Sequence, residues 1–140
     1  MDPYAKRENL AIMLKTRGFK LTRQRRLVFD ALAKSGPVSN ARLGDELQNA
    51  LDRATVYRTI ELFERIGVVQ RIWTGWKSQV ELSEAFVPHH HHAVCRICGA
   101  HIEINSIGLE KELRQLAGEL QFTLEDHSVD LIGVCKNCSK

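Results

Sequence analysis

The residues best equipped for chemistry crowd into the second part of the chain. All four cysteines form two pairs, Cys95-x2-Cys98 and Cys135-x2-Cys138, and all six histidines lie between positions 89 and 127. Two CxxC knuckles offer four thiolates at the spacing that closes a tetrahedral zinc site. Gly99 directly follows the first knuckle, where a metal-binding turn needs a permissive backbone. Thirty-six residues separate the knuckles, more than in a compact zinc ribbon, so a shared ion would tie the first strand of a domain to its last segment. Disulfides are the competing use of these cysteines, and a reducing compartment disfavours them. A redox CxxC would sit beside a thioredoxin-like βαβ pattern, which this sequence lacks. The expectation is a structural zinc on Cys95, Cys98, Cys135 and Cys138.

The run His89-His90-His91-His92 is the second chemical signal. Alternate residues of a strand point to opposite faces, so His90 and His92 project one way and His89 and His91 the other. Two neighbouring metal sites follow if each face finds carboxylates. Glu81 and Glu103 lie in flanking strand-like segments, and Glu110 and His127 are further candidates. Imidazole with carboxylate suits Fe(II), Mn(II), Co(II) or Zn(II) without choosing among them. A solvated loop or a purification tag is the bland alternative, but the run is internal and flanked by strand-like sequence. His101 has no assigned partner and is read as structural or exposed.

These ligands need elements to position them. A first helix, about Tyr4 to Lys15, ends near Gly18, and Thr22 caps a second helix carrying Leu27, Val28, Ala31 and Leu32 on one face. Arg23, Arg25 and Arg26 crowd its first turn, where cations oppose the helix dipole and a phosphate backbone would compensate. Gly36 and Pro37 break the chain before a third helix through Leu43, Leu47 and Leu51. A fourth, ATVYRTIELFERIG, buries Val56, Ile60 and Phe63 and leaves Thr55, Tyr57 and Arg58 outward in its opening turns. VVQRIW, TGWK and SQVEL read as strand, turn and strand. The expected architecture is α+β: a winged helix-turn-helix over 1–82, a hinge over 83–88, and a small α/β dimerisation and metal-sensing domain over 89–140. That last domain is expected to hold a strand from His89 to Cys95, a strand AHIEI, a helix from Ser106 with Leu109, Leu113, Leu116 and Leu120 on one stripe, and a strand HSVDLIGV. About fifty residues bury too little core alone, so a metal staple, a partner subunit or both are required.

Charge divides the same way. Residues 1–80 hold fifteen Lys/Arg against eight Asp/Glu, and residues 81–140 hold five against nine. The first part suits a polyanion and the second suits cations. No apolar run is long enough for a membrane span, and the opening residues lack a secretory signal, so a cytoplasmic chain is expected. An enzyme is not expected: there is no HExxH motif, no nucleophile constellation and no domain large enough for a deep cleft. A zinc-stapled scaffold without DNA binding leaves the basic N-terminal half unexplained.

GFKLTRQRR, ATVYRTIELFERIG, KSQVEL, HHHHAVCRICGAHIEI and HSVDLIGVCKNC together resemble the ferric uptake regulator family of bacterial metal sensors, in that family's order from about Leu10 to Cys138. The resemblance implies a homodimeric repressor that binds an AT-rich inverted repeat in double-stranded DNA and controls metal-uptake genes. It implies structural zinc on the four cysteines, a regulatory site at Glu81, His90, His92 and Glu103, and an accessory site at His89, His91, Glu110 and His127. By position, Tyr57 and Arg58 match residues that meet bases and phosphates in the major groove, and Lys20 matches a lysine that reaches the minor groove. Two departures stand out. Pro37 occupies the place of a histidine that usually joins the regulatory site, and His91 replaces a usual aspartate. Because every cysteine is committed to the knuckles, the regulatory ion is expected to be Fe(2+), with Zn(2+), and Mn(2+) or peroxide sensing, as the alternatives.

Overall fold

A computed structural model describes residues 1–74 and 77–140. It divides into two compact units, Met1–Pro88 and His89–Lys140.

The first unit is a winged helix. Helices α1 (Pro3–Thr16), α2 (Arg23–Ser35), α3 (Asn40–Glu46) and α4 (Arg53–Arg65) precede an antiparallel hairpin of β1 (Val69–Thr74) and β2 (Lys77–Leu82). Gly75 and Trp76, the centre of the expected TGWK turn, lie outside the described residues. Side-chain oxygens of Asp2, Thr22, Ser39 and Asp52 accept from backbone N–H groups in the first turns of α1 to α4. Each satisfies donors that a helix start leaves unpaired. Gly67, at φ 79°, ends α4 in the left-handed conformation that glycine tolerates best.

Leu10 and Leu14 of α1, Val28, Phe29 and Leu32 of α2, Leu43 of α3, Val56, Ile60 and Phe63 of α4, and Val80 of β2 close one core. Val38 joins the wing through paired backbone hydrogen bonds with Val80, 3.0 and 2.8 Å long. The segment read as a hinge contributes to this core as well, because Phe86 is buried and meets Phe29 edge-on at 5.0 Å.

One expected helix is shorter. α3 ends at Glu46, and Leu47 to Leu51 continue as turns, with the N–H groups of Ala50 and Leu51 both bonding the Leu47 carbonyl. The leucine spacing persists through those turns, which is why it read as helix.

The second unit holds β3 (His91–Cys95), β4 (His101–Ile104), α5 (Ile107–Glu119) and β5 (Asp130–Gly133). Its sheet has the order β4-β3-β5, antiparallel between β4 and β3 and parallel between β3 and β5. The last strand is shorter than HSVDLIGV, because the Asp126 carboxylate takes the His127 N–H at 2.8 Å and the His127 ring turns toward Glu110. Side chains hold the start of that stretch, and the backbone joins the sheet only from Val129, whose carbonyl accepts the His92 N–H at 3.4 Å. Likewise β3 begins at His91, two residues after the start of the histidine run.

Candidate metal centres and nucleic-acid interface

The four cysteine sulfurs all lie within 4.8 Å of one another. All four are free thiols, with Sγ of Cys98 and Cys135 at 3.8 Å. Zinc–sulfur bonds of about 2.3 Å in a tetrahedron place sulfurs about 3.8 Å apart, so the donor set fits that ion. Backbone turns build the cluster: the Gly99 N–H bonds the Cys95 carbonyl at 2.9 Å, and the Cys138 N–H bonds the Cys135 carbonyl at 3.0 Å. Gly99 adopts φ 73°, as the first knuckle requires. The Cys135 N–H points at Cys95 Sγ, 3.4 Å away. That N–H, and then the one of Cys98, lower the Cys95 thiol to about 6, whereas bonding to the sulfurs of Cys135 and Cys98 pushes Cys138 up to about 12.

His89, His91, Glu110 and His127 form a second cage. Glu110 sits in the first turn of α5 and presents its carboxylate to three imidazoles. His91 Nε2 stands 2.7 Å from Oε1, His127 Nε2 3.1 Å from Oε2, and His89 Nε2 3.3 Å from Oε1. His89 Nε2 is 3.1 Å from that of His127 and 3.3 Å from that of His91. Four donor atoms at these separations match the edges of a polyhedron whose bonds are about 2.0–2.2 Å. The hydrogen bonds from His91 and then His127 lower the Glu110 carboxyl to about 2.

The His90 and His92 rings come together on the other face, centroids 4.7 Å apart. Glu103 pairs with His92 across β3 and β4, and its carboxylate accepts from Asn105 Nδ2 at 2.8 Å. Glu81 belongs to the first unit, where it is buried and accepts from Gln70 Nε2 at 2.7 Å. Two neighbours of His92 escaped the sequence reading. Asp130 Oδ1 lies 3.6 Å from His92 Nδ1, and the His101 ring centre is 6.0 Å from that of His92. Both depend on strand register, which composition does not reveal.

In the first unit, Lys20, Arg23 and Arg58 are exposed. Thr55 donates its hydroxyl to the capping Asp52 at 2.8 Å. Tyr57 is half-buried against the core, and its hydroxyl lies 3.5 Å from Arg53 Nη1, while Arg53 also pairs with Asp45. Thr22, Gln24, Arg25, Thr55, Arg58 and Thr59 line a polar cavity of about 290 Å³ between the first turn of α2 and α4. Arg25 is held there by the Lys20 carbonyl and by the Phe19 ring. The first turn of α2 contains no acidic residue, so its dipole remains available to an anion, whereas the Asp52 carboxylate already caps α4.

A basic winged helix joined in one chain to cysteine and histidine cages defines a metal-dependent DNA-binding regulator. The chain belongs to the Ferric uptake regulator family, whose sequence profile matches residues 16–132. The Ferric uptake regulation protein of Bordetella parapertussis is 34% identical over 136 residues, covering 91% of this chain and 94% of its own. The Peroxide operon regulator of Bacillus subtilis is 30% identical over 135 residues, covering 91% and 89%. Among solved structures, the Vibrio cholerae ferric uptake regulator is 33% identical and superposes with a TM-score of 0.76, covering 87% of this chain and 96% of that one. Proteins of this family are metal-responsive transcription regulators, not enzymes; they bind DNA and act as dimers, and so does this chain. No helix among the described residues is long and apolar enough to cross a membrane.

Proposed function

We propose that this protein is a cytoplasmic, iron-responsive repressor of metal-uptake genes that binds an AT-rich inverted repeat. The observation that carries the metal assignment is the commitment of all four cysteines to one cluster, which leaves the sensory site only histidines and carboxylates. Such a donor set suits Fe(II). The Bordetella and Vibrio relatives, both named for ferric uptake, support the same metal.

In this reading Cys95, Cys98, Cys135 and Cys138 hold structural zinc. Glu81, His90, His92 and Glu103 hold the regulatory ion, and His89, His91, Glu110 and His127 hold an accessory ion. When bound, the regulatory ion supplies positive charge that draws its carboxylate and imidazole ligands together. Tyr57 and Arg58 meet bases and phosphates in the major groove at the start of α4, Arg58 as the phosphate contact; Lys20 reaches the minor groove, and Arg23 and Thr55 meet phosphates. Three imidazoles and one carboxylate in the accessory cage favour a second reading, a zinc-responsive regulator.

Operator binding followed by fluorescence anisotropy under anaerobic conditions, with Fe(II), Zn(II) and Mn(II) added separately to zinc-stapled protein, tests both. Iron tightening the complex at lower free concentration than zinc supports the first reading. Zinc acting alone would replace it with the second, and metal-independent binding would defeat both.

A further inference from the structure

The sheet of the second unit carries a polar row in which two residues, Asp130 and His101, are not accounted for by the regulatory set. His92 lies at its centre, with Glu103 as its partner on β4 and Asp130 as its partner on β5. His101 pairs with Val94, two residues further along, so its side chain shares the face of His92, Glu103 and Asp130. The opposite face carries His91 and Cys95.

The His101 ring is prepared to donate a lone pair. Its Nδ1 stands 3.0 Å from the Gly99 carbonyl oxygen, which can only accept, so the proton resides on Nδ1. Nε2, the nitrogen left with the lone pair, is buried. A backbone carbonyl on one nitrogen and a buried lone pair on the other is how metal-binding histidines are fixed in tautomer and orientation. Asp130 Oδ1 lies 3.6 Å from His92 Nδ1, within electrostatic reach but beyond hydrogen-bond distance. The two rings are 6.0 Å apart at 80°. Two imidazoles bound to one ion through nitrogens at about 2.1 Å have centres no more than about 6.5 Å apart, so a single ion reaches both.

We propose that His101 is a further ligand of the divalent transition metal that His92 holds, with Glu103 and Asp130 beside it on the same sheet face. This rests on the reading of His92 as a regulatory ligand and adds an imidazole to that set. Glycine and carbonyl geometry at the first knuckle then couples the sensory ion to the structural zinc, because Gly99 both turns the knuckle and orients His101.

Long-range ¹⁵N spectra of the histidine rings in the full chain, with structural zinc in place, test this during addition of Zn(II) as the probe. The expected result is that Nε2 of His101 and one ring nitrogen of His92 change together to metal-bound shifts. In a chelator competition, His101→Asn, whose amide keeps a donor for the Gly99 carbonyl, is expected to weaken binding read at His92 by about tenfold or more, as loss of a ligand or its support does. If His92 responds while His101 stays unchanged, His101 is structural and the proposal fails, with the regulatory reading intact. If neither ring responds, the regulatory reading fails too. The wild-type spectra decide the matter even if His101→Asn does not fold.

Discussion

Cys95 and Cys138 enter the same sulfur cluster with opposite proton affinities. Backbone N–H groups of Cys135 and Cys98 lower Cys95 to about 6, and bonding to neighbouring sulfurs raises Cys138 to about 12. Zinc requires thiolates, so binding displaces whatever protons the free cluster holds. Cys95 has none to lose above pH of about 6, and Cys138 still has its own. Zinc uptake by the metal-free protein near neutral pH should therefore release fewer than four protons. The number should rise by one as pH falls through about 6, and calorimetry in buffers of different ionisation enthalpy measures it. A constant release of four across that range would contradict the lowered Cys95. At this scale much of the site was readable. CxxC spacing and strand alternation sort eight candidate side chains into groups because both signals are local in the chain. His101 and Asp130 were not readable, since they meet His92 only through pairing with β4 and the parallel β5.

Helix α4 joins core and surface, and the two faces make separable predictions. Phe63 is fully buried, and Phe63→Ala should cost about 3–5 kcal/mol from lost transfer energy and the cavity left behind, measured by chemical denaturation. Arg58 is exposed beside the polar cavity, so Arg58→Ala should leave stability nearly unchanged. It should instead weaken operator binding and reduce the slope of log affinity against log salt by about one, as expected for a lost phosphate contact. An unchanged slope would remove Arg58 from the interface. The helices and the wing were legible because capping residues and 3.6-residue periodicity survive in the folded chain. α3 and β5 were over-extended, for different reasons. Leucine spacing continues through the turns after α3, and before β5 a metal-cage histidine overrides the apolar alternation.

On the whole molecule, the second unit leaves a group of apolar side chains uncovered. Ile102, Leu116, Leu120, Phe122, Leu131 and Ile132 are each more than half exposed in the single chain. Ile102 and Leu131 flank Ala93 on one sheet face, and β5 is an edge strand with open hydrogen-bonding groups. This chain acts as a dimer, and such a surface is what a second copy would bury. Leu131→Asp should shift the protein to monomers in sedimentation analysis while leaving its structural zinc bound; a variant that stays dimeric would move the interface elsewhere. The small core expected for this unit was legible from its length, but not which face would remain open. The distance between the knuckles also orders events at the ribosome. The first unit has its complete core once Phe86 has emerged, whereas the first knuckle must wait for Cys135 and Cys138, beyond thirty-six intervening residues, before its four-sulfur cage can close. A nascent chain thus passes through an interval in which a folded, basic DNA reader exists without its sensor. Zinc supply to the emerging polypeptide, rather than folding of the reader, would then time the appearance of a regulated protein.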